Sequence, residues 1–257
     1  MYDFHDLGPV TTGDKTLFIP SEALMISGKT IEEQIDGYQT LSVTGRGPLA
    51  YAINSEDVDG SDGKHYIDAY LADRPLGITY RLTADTAADM MDKLDKLSTI
   101  LAKKQADCSF KDQPDWHFTV TLSSTTDPEE GKLDAKGSFV LTASDPHKYS
   151  ATQSLSGASI DFGSKTGQLI SIEYVPTATA TDITITSSKG YAIKLVNGTV
   201  NAGDTIILKP QDQTVTLNGV NKAAWLTYNT DFENVPAAGK LTVSPAGTLK
   251  TTFKEVR

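Results

Sequence analysis

The sequence predicts a mainly β protein in two parts: an N-terminal β-sandwich-type domain with one α-helix, then a C-terminal β-sandwich of galectin-like or jelly-roll type. Three observations carry this. Short runs rich in β-branched residues alternate with Gly, Asn, Asp and Pro along most of the chain. One long segment, residues 84–104, breaks that rhythm with apolar residues at three- and four-residue spacing. Charge shifts near residue 150: residues 1–150 hold 25 acidic and 14 basic side chains, net −11, whereas residues 151–257 hold 8 and 9, net +1. At 257 residues, 39% hydrophobic and 22% charged, the chain is long enough to bury two cores of ordinary size.

In order, the first strand candidates are residues 16–19, 24–26, 38–43, 66–72, 77–82, 118–122 and 136–143. They supply a sheet on which the helix can lie. Its stripe is Ala87, Met90, Met91, Leu94, Leu97 and Leu101. Thr83 or Thr86 caps its start, Asp85 and Asp89 sit at the positive end of its dipole, and Lys103 and Lys104 at the negative end. Met90 and Met91 read as core filler. Asp145-Pro146 closes the domain, because proline removes a ladder donor and pushes its predecessor out of helical geometry. The boundary is set at 150, giving domains 1–150 and 151–257.

The second set of strands is residues 169–175, 182–187, 191–196, 204–209, 214–217, 225–228, 240–243 and 248–256. Between them stand Ser188-Lys189-Gly190, Asn197-Gly198, Ala202-Gly203, Asn218-Gly219 and Ala246-Gly247, residues that accept positive φ. Short strands at this even spacing predict a sandwich. Asn197-Gly198-Thr199 matches a glycosylation sequon but reads as one of these turns.

Sites of chemistry are sparse. A net charge of −10 argues against nucleic acid as a bound partner. The N-terminal MYDFHDLGPV lacks the regions of a signal peptide, and no apolar run is long enough to span a bilayer, so the expectation is synthesis in a cytoplasm without membrane insertion. The single Cys108 cannot close an intrachain disulfide and reads as a buried or half-buried small side chain. There is no phosphate loop, dinucleotide fingerprint, zinc helix or nucleophile elbow. His5, His65, His117 and His147 are scattered. Asp57, Asp59, Ser61 and Asp68 imitate a calcium loop, but Asp62 stands where that loop needs glycine, so the stretch reads as a hairpin tip. Glu129, Glu130 and Asp134 belong to a polar turn and do not suggest a glycosidase pair. No catalytic, cofactor-binding or metal-binding residue is assigned. Trp225 and Tyr228 are the candidate saccharide contacts, with core packing the competing role for Trp225; on a regular strand their spacing puts them on opposite faces.

One group of motifs points further. Ile31-Glu32-Glu33-Gln34-Ile35-Asp36-Gly37-Tyr38-Gln39-Thr40-Leu41-Ser42-Val43-Thr44-Gly45-Arg46 is followed by Arg74-Pro75-Leu76-Gly77-Ile78-Thr79-Tyr80. Then come Leu94 to Leu101 in the helix, Phe110-Lys111-Asp112-Gln113-Pro114-Asp115-Trp116, and Gly137-Ser138-Phe139 through Asp145-Pro146-His147-Lys148-Tyr149. In order and spacing these resemble the siphophage distal tail protein family. Ala202-Gly203-Asp204, Leu217-Asn218-Gly219 and Asp231-Phe232 are similar to turns of that family's galectin-like domain. The chain ends Thr248 to Arg257 without the aromatic Tyr-Arg-Glu-Arg-like tail of many relatives.

The resemblance implies a non-enzymatic virion protein of the tail tip. It would form a homohexameric ring joining the tail tube to the tail-associated protein, with DNA passing through its channel unbound and the outer domain anchoring receptor-binding equipment. Whether two rings stack stays open. The family's extended hairpin arm, which reaches a neighbouring subunit, corresponds to residues 45–65, with Leu49, Tyr51, Ile53 and Val58 as its contact residues. Part of the acidic excess is expected to line the channel and repel DNA. The competing reading is a carbohydrate-binding module that recognises cell-wall saccharide through the C-terminal sandwich; a glycan hydrolase is the remaining alternative. Oligomeric state separates the ring from the module, and turnover on polysaccharide would identify the hydrolase.

Overall fold

The structure, a computed structural model, describes residues 18–60, 62–126, 128, 131–227 and 235–257. These fall into two compact units, one ending at Lys148 and one starting at Tyr149. The first contains β1 (Leu24–Ile26), β2 (Lys29–Thr30), α1 (Ile31–Gln34), β3 (Tyr38–Thr44), β4 (Tyr51–Asp57), β5 (Lys64–Leu71), β6 (Arg74–Thr83), α2 (Ala87–Leu101), β7 (Ala106–Phe110), β8 (Gln113–Thr126) and β9 (Asp134–Ala143). Its main sheet runs β2-β1-β7-β8-β9-β6-β3. The long β8 joins the two halves: residues 113–120 pair with β7 and residues 121–126 with β9.

Strict alternation builds this core. Leu76, Ile78, Tyr80 and Leu82 of β6 are buried, and so are Phe139, Leu141 and Ala143 of β9. Register sets Leu76 opposite Leu141 and Ile78 opposite Phe139. Tyr38 stacks on Tyr80 at 5.3 Å between ring centroids. The helix α2 adds Met90, Leu97 and Leu101 to the same cluster. Thr86 caps it by accepting the Asp89 N–H at 3.1 Å. Met91 departs from its expected burial and is exposed. Neighbouring helix positions lie about 100° apart, so the stripe that buries Met90 leaves Met91 on the flank.

Two other expectations are corrected. Residues 66–72 do not join the platform, because both sides of β6 are occupied by β3 and β9; the stretch becomes β5, which pairs only with β4. Of the strand expected at 16–19, residues 16 and 17 lie outside the described residues, and 18–19 are not in a strand.

The second unit contains β10 (Tyr149–Ser150), β11 (Gln153–Gly157), β12 (Ser159–Asp161), β13 (Gly167–Pro176), β14 (Ile183–Ser187), β15 (Ala192–Leu195), β16 (Ile206–Lys209), β17 (Thr214–Leu217), β18 (Val220–Asn221), β19 (Pro236–Ala237), β20 (Lys240–Ser244) and β21 (Gly247–Glu255). One sheet runs β11-β21-β13-β16-β17-β18, with β19 on β13; the other runs β12-β20-β14-β15. Ile172, Tyr174, Leu208, Leu249 and Phe253 from the first meet Ile160, Ile185, Ile193 and Leu241 from the second in one buried cluster. The strand expected at 225–228 is absent among the described residues. Ala223–Trp225 forms a 3-10 turn instead, started by Asn221 Oδ1, which accepts the Ala223 N–H at 2.8 Å.

Candidate assembly surface

Between β3 and β6 the chain leaves the main sheet as a two-stranded ribbon. Its register pairs Tyr51 with Leu71, Ile53 with Ala69 and Asn54 with Asp68, shifts at a bulge, and resumes with Ser55 opposite Tyr66 and Asp57 opposite Lys64. Alternation puts Tyr51, Ile53, Ala69 and Leu71 on one face, and Ala52 and Tyr70 on the other. None of the described residues from 45 to 75 is buried. Tyr51 is 61% exposed, Ile53 67% and Tyr70 60%. Val58, Tyr66 and Ile67 are exposed as well, and Leu49 is half-buried. A lone two-stranded hairpin is marginal in water, and clustered exposed apolar side chains mark an interaction surface.

Of the contact residues expected from sequence, Tyr51 and Ile53 share one face of β4, Val58 follows its end and Leu49 precedes its start. The returning strand adds Tyr66, Ile67 and Tyr70, which the sequence reading assigned to the platform. The signal for them was the tip itself: Asp59-Gly60 and Asp62-Gly63, with both glycines at positive φ, fold the apolar runs on either side back on each other. Residues 51–71 carry five acidic side chains and one basic, so the ribbon is apolar near its root and acidic toward its tip.

The root of the ribbon is built from arginines. Arg46 donates through Nη2 to both carboxylate oxygens of Asp112 at 2.7 Å, and its guanidinium lies 4.4 Å from the Phe110 ring centroid. Arg74 donates from Nε to the Pro146 carbonyl at 2.7 Å, and from Nη1 to the carbonyls of Gly45 at 2.7 Å and Gly47 at 2.9 Å. Its partial burial pulls its pKa below the ordinary arginine value, and a guanidinium there stays charged. Gly45 has φ +85°, and a Cβ there would collide with the Pro75 carbonyl, so only glycine admits this approach of the outgoing and returning chains.

The second unit presents less. Trp225 is half-buried against the sandwich core. The Asn197-Gly198 turn lies flat on its indole: a Cβ on Gly198 would enter the ring's contact distance, and Lys222 Nζ stands 5.1 Å from the ring centroid. Tyr228 lies outside the described residues.

The titratable groups are explained by local contacts. Burial pushes the Cys108 thiol up to about 12, with Asp107 adding to it, so it is neutral and unreactive at physiological pH. The Asp134 carboxyl is held below the usual range by the hydrogen bond from Arg81. Asn218 does the same for Asp204, and Gln153 and Lys165 for Glu255. His117 pairs with Asp107 at 3.0 Å and His147 with Asp145 at 2.8 Å; His5, Glu129 and Glu130 lie outside the described residues. Among the described residues no group of three or more His, Cys, Asp or Glu is placed to hold a metal ion. None of the described helices is long and apolar enough to cross a membrane.

Comparisons with known proteins divide along the same two units. Residues 26–142 match the family model of the phage tail protein RIFT-related domain, and residues 164–256 match that of the siphovirus-type tail component, C-terminal domain. The crystal structure of the SPP1 Dit (gp 19.1) protein, described as a paradigm of the hub adsorption apparatus in phages infecting Gram-positive hosts, superposes with a TM-score of 0.76 at 18% identity. That match covers 90% of this chain and 98% of that one. Two structures of the phage P2 baseplate in its activated conformation, with Ca and with Sr, give TM-scores of 0.46 at 8% and 9% identity, each over 85% of this chain and 90% of that one. No curated protein matches in sequence. With both halves matched in order by tail-component domains, the chain belongs to the siphophage distal tail protein family.

Proposed function

We infer that this tail component is a ring-forming structural subunit of the tail tip. Six copies close a ring that joins the tail tube above to the tail-associated protein below. The ring anchors the host-recognition apparatus, including any receptor-binding protein, through the domain after residue 150. The role is structural and not catalytic. The observation that carries this reading is the ribbon, with Tyr51 and Ile53 on one face and Tyr70 on the other, all exposed. A hairpin apolar on both faces gains its stability when a second chain covers it, and a copy of the same subunit offers that cover six times in a closed ring. Leu49 and Val58 extend the same contact at either end of β4. DNA passes through the channel without specific binding, and the acidic excess of the first 150 residues supports a lumen that repels it.

Light scattering across a concentration series tests the ring. The full-length protein is expected to sediment and scatter as a hexamer or a multiple of one. The double substitution Tyr51→Asp with Ile53→Asp is expected to leave monomers whose circular dichroism matches the parent. A parent chain that stays monomeric at high concentration would overturn the reading.

A further inference from the structure

We propose that Arg46 and Arg74 are positioning residues for assembly: they lock the root of the ribbon so that it leaves the domain in one direction before any partner covers it. The need arises because no described residue from 45 to 75 is buried, so packing within the ribbon does not aim it. The aim is set where the ribbon begins and ends. Arg74, the first residue of the returning β6, reaches across to the carbonyls of Gly45 and Gly47 on the outgoing chain and ties both to the Pro146 carbonyl. Three carbonyls from two separate segments converge on one planar guanidinium. Lysine, a point charge on a flexible stem, cannot reproduce that fork.

Arg46 fixes the outgoing chain to another part of the domain. Asp112, in the turn between β7 and β8, holds its Nη2, while the guanidinium carbon sits over the buried Phe110 ring, 4.4 Å from its centroid. Phe118, also buried, lies 5.6 Å from the Arg74 guanidinium. Both cations therefore rest on rings that belong to the domain core. Each arginine turns a flexible exit into one with defined geometry, so less chain entropy is lost when a neighbouring copy docks. A positioning residue of this kind raises affinity without touching the partner.

The lock rests on the ring reading, and two measurements on the full chain separate their failures. Hydrogen exchange of residues 46–74, taken at concentrations where the parent is dissociated, reads the lock directly. Mass photometry reads the concentration at which rings form. Arg74→Lys is expected to speed exchange across the ribbon and raise the assembly midpoint about tenfold, with the thermal midpoint nearly unchanged. Asp112→Ala, which frees Arg46 without altering either arginine, should act in the same direction and serves if Arg74→Lys fails to fold. The Tyr51→Asp, Ile53→Asp variant should stay monomeric with root exchange unchanged. Parent-like exchange and assembly in both root variants would overturn the lock. A parent that never assembles, with faster exchange still seen in the root variants, would overturn the ring and leave the lock standing.

Discussion

The two units bury apolar side chains equally well and differ in what they leave outside. Among the described residues, eleven large hydrophobic side chains are exposed: ten lie in the first unit and one, Val220, in the second. Six of the ten are on the ribbon. The second unit has the design of a self-sufficient sandwich, with a closed core and a nearly balanced surface; the first combines an equally filled core with an apolar extension and most of the acid. Core packing and exposed apolar surface thus fall to different side chains of the first unit. Leu76, Ile78 and Phe139 hold the fold together, and Tyr51, Ile53 and Tyr70 have no part in it.

The contrast can be broken most forcefully in the sandwich. Phe253 is fully buried and meets Phe162 edge-on at 5.1 Å. Phe253→Ala is expected to cost about 3–5 kcal/mol of stability, read from Trp225 fluorescence in a Trp116→Phe background, while the assembly midpoint stays where it was. Loss of assembly in step with stability would show that the division of labour is wrong. Cys108 sharpens the other side. If the first unit is as well packed as its core indicates, the thiol should react with a maleimide at neutral pH roughly a thousandfold more slowly than in urea, since its neutral form dominates and its path is blocked. Rapid labelling would mean that the exposed apolar residues reflect loose packing and not a docking surface.

The smallest effect is electrostatic. Asp134 in the first unit and Glu255 in the second both have pKa values lowered by hydrogen-bonded partners. A carboxylate with a depressed folded pKa contributes above its unfolded pKa and loses that contribution as pH falls through the folded value. Both units should therefore lose it at acid pH, below about 4. Because the Arg81 and Asp134 pair is largely solvent-exposed, Asp134→Asn should cost at most about 1 kcal/mol at pH 7. Chemical denaturation across pH checks it: a cost that persists at pH 2 would refute the assignment.

How much of this was legible depends on where each signal lies. The helix could be read because its apolar spacing is local, although its ends were set three residues too wide on each side: Thr86 was one of two possible caps, and the lysines beyond Leu101 do not extend it. The short helix α1 has a signature that is readable in local sequence. Thr30 and Glu33 form a reciprocal capping box, with Thr30 N–H donating to Glu33 Oε2 at 2.9 Å and Glu33 N–H to Thr30 Oγ1 at 3.2 Å. The placement of residues 66–72 was not legible in the same way. Alternation says that a stretch is a strand; which strand it pairs with depends on which neighbours already occupy the sheet. The root contacts lie further still from local pattern, because Arg46 to Asp112 spans sixty-six positions. Trp225 misled because its apolar neighbours imitate a strand, whereas the Asn221 side chain diverts the backbone into a turn.

The acid at the ribbon's far end bears on solubility. A free two-stranded ribbon has two outer edges of unpaired backbone groups, the usual template for edge-to-edge aggregation. Glu56, Asp57, Asp59, Asp62 and Asp68 lie along those edges and around the tip, with Lys64 alone of opposite sign. Two such ribbons meeting side by side in parallel bring like charges together toward their tips, which disfavours stacking into fibres. Acid around the tip thus offsets the aggregation hazard that an uncovered apolar ribbon carries.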